Sequence, residues 1–162
     1  MELDFKELKE LKELAEIIKE EKKKGKKIIF TNGCFDILHK GHRYILTEAA
    51  KYGDIFIVAL NSDKSVKKFK GDDRPKNKEL DRAYVVSGFK GVDYVIIFNE
   101  DKPLELLRRL KPDINVKGGA AIPERVEEEK QIMGSYGGKI INLPLVEGYS
   151  TTKMIDEIRE NK

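Results

Sequence analysis

The chain holds two histidines, His39 and His42, three residues apart in the stretch Thr31-Asn32-Gly33-Cys34-Phe35-Asp36-Ile37-Leu38-His39-Lys40-Gly41-His42. An apolar run over 27–30 precedes it, and Ile45, Leu46, Ala49 and Tyr52 follow at helical spacing until Gly53, read as a left-handed stop. Both imidazoles therefore fall at a strand-to-helix junction. A helix N-terminus carries unpaired N–H groups and a partial positive charge, and imidazoles beside it can donate hydrogen bonds to an anion, so the pattern suits a phosphate. Two other uses stay open on spacing alone. One is a structural role; the other is a metal, for which no Glu-x-x-His partner or second His or Cys cluster completes a zinc or iron site. Ser150 lacks the Gly-x-Ser-x-Gly elbow of a serine hydrolase, and the first loop lacks the Gly-x-Gly-x-x-Gly of NAD binding.

Apolar runs at 27–31, 54–60, 93–98, 113–117 and 139–143 read as five short buried strands. Helical patterns at 41–52, 78–90, 103–110, 123–135 and 151–160 lie between and after them. This alternation predicts an α/β fold, a Rossmann-like doubly wound five-stranded parallel sheet with helices on both faces. Leu8, Leu11, Ala15 and Ile18 form one stripe closed by Gly25, so 1–25 is expected to be a helix appended to a domain over 26–162. The segment 64–78 is dense in lysine, glycine and aspartate without a convincing apolar stripe, and reads as a mobile loop. In open sheets of this type ligands sit outside the carboxyl ends of the strands. The loops 31–42, 61–63, 117–120 and 147–152 all follow predicted strands and so converge on that edge.

A length of 162 residues fits one domain of ordinary size. With 32 Lys and Arg against 29 Asp and Glu, the net charge of +3 is too balanced for a dedicated nucleic-acid binder. Cys34 stands alone, so no internal disulfide is expected; no signal peptide or run of about 18 apolar residues is seen, and the chain reads as cytoplasmic, with no membrane partner. A charged fraction of 38% and a single glutamine, Gln131, are features of thermophile proteins. A melting midpoint above about 60 °C is the corresponding expectation.

The residues also carry a resemblance. Thr31-x-Gly33-x-Phe35-Asp36-x-x-His39-x-Gly41-His42 resembles the first signature of the nucleotidyltransferase superfamily with a His-x-Gly-His motif, and Glu147-Gly148-Tyr149-Ser150-Thr151-Thr152 resembles its second, phosphate-binding signature. Asn61-Ser62-Asp63, Lys70-Gly71-Asp72-Asp73-Arg74-Pro75 and Val116-Lys117-Gly118-Gly119 are similar to the heptose 1-phosphate adenylyltransferases, often the C-terminal domain of a bifunctional kinase and adenylyltransferase. The resemblance covers about 27–159. Two departures fall where base or sugar would be recognised: Ala120-Ala121, where heptose enzymes carry an acidic and an aromatic residue, and Tyr149, where small or aliphatic residues are common.

The resemblance implies transfer of AMP from ATP to D-glycero-β-D-manno-heptose 1-phosphate by in-line attack, with magnesium bound to the triphosphate. His39, His42 and Lys70 are then the catalytic residues, stabilising charge rather than moving protons. Asn32, Gly33, Cys34, Phe35, Gly41, Asn61, Lys117, Glu147, Ser150, Thr151 and Thr152 would bind the nucleotide, Arg74 and Arg82 the substrate phosphate, and Asp36 would orient the loop. No protein metal ligand is implied, the partners are ATP and a sugar 1-phosphate, and a homodimer is compatible. A glycerol-3-phosphate or similar cytidylyltransferase shares both end signatures. A non-catalytic adenine-nucleotide sensor is the alternative of another class.

Overall fold

The computed structural model describes residues 5–119 and 123–161, so the departures at Ala120 and Ala121 lie outside the described residues. Strands β1 (Ile28–Gly33), β2 (Ile55–Asn61), β3 (Tyr94–Phe98), β4 (Ile114–Gly118) and β5 (Lys139–Leu143) form one parallel sheet in the order β3-β2-β1-β4-β5. Strands buried on both faces must be apolar nearly throughout, and all seven residues of β2 are buried. Alternation then divides the side chains between two cores. Ile28, Phe30, Ile57 and Ala59 join Leu14 and Ile18 of helix α1 (Leu11–Lys23) and Leu106, Leu107 and Leu110 of a later helix. Ile29, Phe56, Val58 and Leu60 join Leu46, Ala49, Ala83 and Val86 on the opposite face. Truncating one fully buried member such as Phe30 to alanine is worth about 3–5 kcal/mol of stability.

The remaining helices are α2 (Lys40–Ala49), α3 (Asp63–Lys70), α4 (Glu79–Ser87), α5 (Leu104–Leu110), α6 (Pro123–Ser135) and α7 (Thr151–Glu160). Three aspartates set the strand starts: Asp54 accepts from the Lys27 N–H at 2.8 Å, Asp93 from the Phe56 N–H at 2.8 Å and Asp113 from the Ile28 N–H at 2.7 Å. Each is the residue immediately before a strand; Asp93 and Asp113 hold an N–H of a neighbouring one, and Asp54 the N–H just before β1. The free edge of β3 is covered by the N-terminal segment, whose Glu7 carbonyl accepts from the Val95 N–H at 2.8 Å.

β1 and β4 pair only at Ile29↔Ile114 and Phe30↔Asn115. Beyond that point the Thr31 hydroxyl donates to the Val116 carbonyl at 2.7 Å, and the strand ends part into a crevice where strand order reverses.

Two sequence expectations are corrected. Within 64–78, residues up to Lys70 belong to helix α3 rather than a loop: Ser62 caps it by accepting from the Ser65 N–H at 3.2 Å, and Ser65 and Val66 are buried beneath it. The apolar stripe is only Val66 and Phe69, too short to read, but a cap and one buried turn suffice. Gly53 is extended (φ −166°), not left-handed. It is needed because a Cβ there would stand 2.7 Å from the Ile29 side chain and 2.8 Å from the Lys27 carbonyl.

Candidate active site

The loop leaving β1 is bent by two non-glycine residues at positive φ, Phe35 (49°) and Ile37 (41°). Such conformations cost on the order of 1–3 kcal/mol each and persist only where surrounding contacts fix them. Between them lies Asp36, whose carboxylate accepts from Arg74 Nε at 3.1 Å and from the N–H groups of Lys76 and Asn77 at 2.8 and 3.1 Å. Burial would raise its pKa, but these bonds outweigh burial and hold the carboxyl below its ordinary value. The Arg82 guanidinium donates to the carbonyls of Cys34 and of Asn77 (3.1 Å) and to the Asp63 carboxylate (2.9 Å). From the far end of the chain, the Thr151 hydroxyl donates to the Asp36 carbonyl at 2.9 Å.

The loop delivers His39 as the N-cap of α2. Its Nδ1 accepts from the Gly41 N–H at 3.0 Å, and the His39 N–H donates to His42 Nδ1 at 3.2 Å. With both Nδ1 atoms accepting, a neutral ring must carry its proton on Nε2. Both rings are held neutral: burial, aided by His39 and Lys70 and opposed by Asp36, pushes His42 down to about 4, and burial lowers His39. The ring centres are 4.0 Å apart. A Cβ at Gly41 would stand 2.9 Å from the His39 ring, so only glycine lets the backbone pass beneath it.

Both imidazoles line a cavity of about 320 Å³. Thr31 to Phe35 form its floor, Gly118 and Ile45 one side, and the N-terminal turn of α7, Ser150 to Thr152, another, with Leu145 and Tyr149 at the edge. Ser150 caps α7 by accepting from the Lys153 N–H at 3.4 Å. A second cavity, about 430 Å³, shares Asn32, Gly33, Cys34, Lys70 and Gly118 with the first and extends over the ends of β2 and β4 to Asn61, Asp101, Lys117 and Glu129. Lys70 is the one charged residue among those shared.

The structure thus brings together Asn32, Gly33, Cys34, Phe35, His39, Gly41, His42, Lys70, Ser150, Thr151 and Thr152 around the first cavity, and Asn61 and Lys117 around the second. Glu147 is exposed in the turn before α7 and lines neither. Arg74 and Arg82 also lie outside both. Both are buried: Arg74 Nε and the Arg82 guanidinium hold the Asp36 loop from behind, while Arg74 Nη2 has no hydrogen-bond partner among the described residues. Thr151 likewise commits its hydroxyl to the loop.

Sequence reading missed Glu129. It is 4% exposed, and its Oε2 accepts from Lys117 Nζ at 2.5 Å and Asn115 Nδ2 at 2.8 Å, while Lys117 also donates to Asn32 Oδ1 at 2.6 Å. The available signal was a carboxylate in the stripe Val126, Glu129, Met133, where α6 meets the sheet.

A 3-2-1-4-5 parallel sheet with paired imidazoles and two helix N-termini on the crevice at its switch point defines the class, a nucleotidyltransferase domain. The chain belongs to the cytidylyltransferase-like family, whose model matches residues 30–157. It is 49% identical over 138 residues to the bifunctional protein HldE of Geobacter metallireducens, covering 85% of this chain and 28% of that protein. With HldE of a Nitratiruptor species it shares 50% over 142 residues, covering 87% of this chain and 29% of that protein. The chain therefore spans a little over a quarter of the length of these relatives. Among solved structures, the lipopolysaccharide core biosynthesis protein of Thermoplasma volcanium is 29% identical with a TM-score of 0.65, covering 76% of this chain and 100% of that one. Pantoate-β-alanine ligase of Francisella tularensis has a TM-score of 0.63 at 16% identity, covers 94% of this chain and 77% of its own, and shares the fold.

Proposed function

We propose that the domain transfers AMP from ATP to D-glycero-β-D-manno-heptose 1-phosphate, giving ADP-heptose and pyrophosphate. One observation carries the transfer step: two imidazoles whose Nδ1 atoms both accept backbone N–H bonds, leaving Nε2 to donate, share one cavity with the N-terminus of α7. The attacking sugar phosphate is ionised at neutral pH, so no general base is required. Its oxygen forms a bond to the α-phosphorus as the bond to the pyrophosphate oxygen breaks. The protein's task is to position two anions and neutralise the charge that grows on the departing group.

His39 and His42 donate from Nε2 to the triphosphate, Lys70 stands between the reactants, and the backbone N–H groups of 34–35 and of the first turn of α7 hold phosphate oxygens. Among the described residues no Asp or Glu lines the first cavity and no group of three His, Cys, Asp or Glu could cage a metal, which fits magnesium carried in by the triphosphate itself. Magnesium bound there would supply further neutralisation of the triphosphate oxygens.

The heptose and adenine assignments are supported by the likeness to HldE proteins and by the segments 61–63 and 116–119 at the second cavity. No described helix is long and apolar enough to cross a membrane, and we place the reaction in the cytoplasm, where ATP is supplied. Pyrophosphate release measured with ATP or CTP against heptose 1-phosphate and glycerol 3-phosphate tests the reading. Preference for ATP with heptose 1-phosphate, on the order of 100-fold in kcat/KM, is expected, because a site that hydrogen-bonds one base edge leaves buried groups unpaired with the other. Equal turnover of CTP with glycerol 3-phosphate overturns the heptose assignment; no pyrophosphate with any pair overturns the transfer reading.

A further inference from the structure

The second cavity is lined differently from the first. Beside the shared loop it presents Asn61, Asp101, Lys102, Lys117 and Glu129, side chains that accept and donate hydrogen bonds. A bare phosphate would be served by the cations alone. Carboxylates next to them suit a ligand that also carries hydroxyl groups, each of which donates one hydrogen bond.

Glu129 stands out within that set. Burying a carboxylate on the inner stripe of a helix carries a desolvation cost, which here is offset by pairing with Lys117 and Asn115. Lys117 Nζ at 2.5 Å and Asn115 Nδ2 at 2.8 Å both reach Oε2. The side chain also lines the cavity. Lys117 in turn joins Glu129 to Asn32, which lines both cavities, so the pair fixes the wall between them.

We propose that Glu129 determines acceptor specificity: Oε1 accepts a hydroxyl of a phosphorylated polyol bound in the second cavity, Oε2 holds Lys117 against Asn32, and the ligand's phosphate lies at Lys70. This rests on the nucleotidyl-transfer reading and adds to it the place and the reader of the second substrate. An acceptor with a hydroxylated ring gains from Glu129, whereas glycerol 3-phosphate, with only two hydroxyls beyond its phosphate, gains less.

Steady-state kinetics of Glu129→Gln test this. The expected result is a KM for heptose 1-phosphate raised about 10- to 100-fold, with the KM for ATP and any residual turnover of glycerol 3-phosphate changed less than about threefold. An unchanged heptose 1-phosphate KM, or equal losses for ATP and both acceptors, overturns the proposal. Should Glu129→Gln not fold, Glu129→Asp, which keeps the charge but withdraws the carboxylate by one methylene, is expected to raise the heptose 1-phosphate KM without a matching rise for ATP, and no change there overturns the proposal. Calorimetry on the unaltered protein separates this inference from the transfer reading. A non-hydrolysable ATP analogue and heptose 1-phosphate are expected to bind together, even if no pyrophosphate is ever released; mutual competition for one site overturns the second cavity as the acceptor's place.

Discussion

Asp36 and Arg74, 38 positions apart in the chain, meet at 3.1 Å with both side chains nearly excluded from solvent (1% and 7% exposed). Their contact lies behind the loop that leads from β1 to His39. It explains how Phe35 and Ile37 are kept at positive φ, and it makes the first prediction. Asp36→Ala strips a buried guanidinium of its partner and frees two N–H groups, so a loss of about 3–5 kcal/mol in urea unfolding is expected, with turnover falling as the loop relaxes. A loss below about 1 kcal/mol, the scale of an exposed pair, would show that the contact does not hold the loop.

His42→Ala is expected to lower kcat about 10²- to 10³-fold while ATP affinity stays within roughly tenfold, because one transition-state donor is worth about 3–4 kcal/mol. Gly41→Ala should act on the same step without removing a donor, since its methyl would displace the His39 ring from 2.9 Å. Single-turnover rates check both; near wild-type values for both would return the histidines to a structural role.

The proton positions give a third test. Nitrogen-15 NMR of the free protein at pH 7 should show both imidazoles neutral with Nε2 protonated, as their accepting Nδ1 atoms require. The His42 pKa is depressed from 6.5 to about 4, so the unfolded chain binds the extra proton first as pH falls. Stability from this group is therefore complete above pH 6.5 and declines as pH drops from 6.5 toward 4. His42→Gln should flatten that part of the stability profile. A bound triphosphate should pull the pKa back up, so affinity for an ATP analogue should rise with falling pH in the same window.

Hydrogen exchange distinguishes a helix at 63–70 from a mobile loop. Amides of Val66 and Phe69, inside α3, should be protected before any nucleotide is added, and protection should change little on adding an ATP analogue. Protection that first appears with nucleotide would restore the loop reading.

Strand positions were legible because each β segment has an apolar core of β-branched or large residues, with Asp just before β2, β3 and β4 and Gly just before β5, and the order of loops along the edge followed from strand-helix alternation. The histidine pair was legible from its spacing, and its cavity is where the junction implied. What did not show were partners distant in sequence. The contacts of Arg74 with Asp36, and of Arg82 with Asp63 and the Cys34 carbonyl, span 19 to 48 positions and leave no local pattern. Glu129 was hidden in a run of three glutamates, because only the packing of α6 on the sheet separates a buried carboxylate from its solvated neighbours.

The aspartates before β2, β3 and β4 bear on how reliably the chain finds its pairing. Parallel strands joined by long crossovers have no tight turn to set their alignment, and the apolar runs here offer similar contacts at neighbouring offsets. Asp93 and Asp113 each reach one particular N–H on an adjacent strand and Asp54 the N–H of Lys27 just before β1, and a shift by one residue would leave a carboxylate facing a carbonyl or a side chain. Each misaligned pairing would forfeit a charge-assisted bond of about 1.5–3 kcal/mol before any packing error is counted. The pyramid of near-equivalent sheets is thereby reduced to one, and the same small locks at the far end of the strands decide which way Asn32 and Lys117 point at the other.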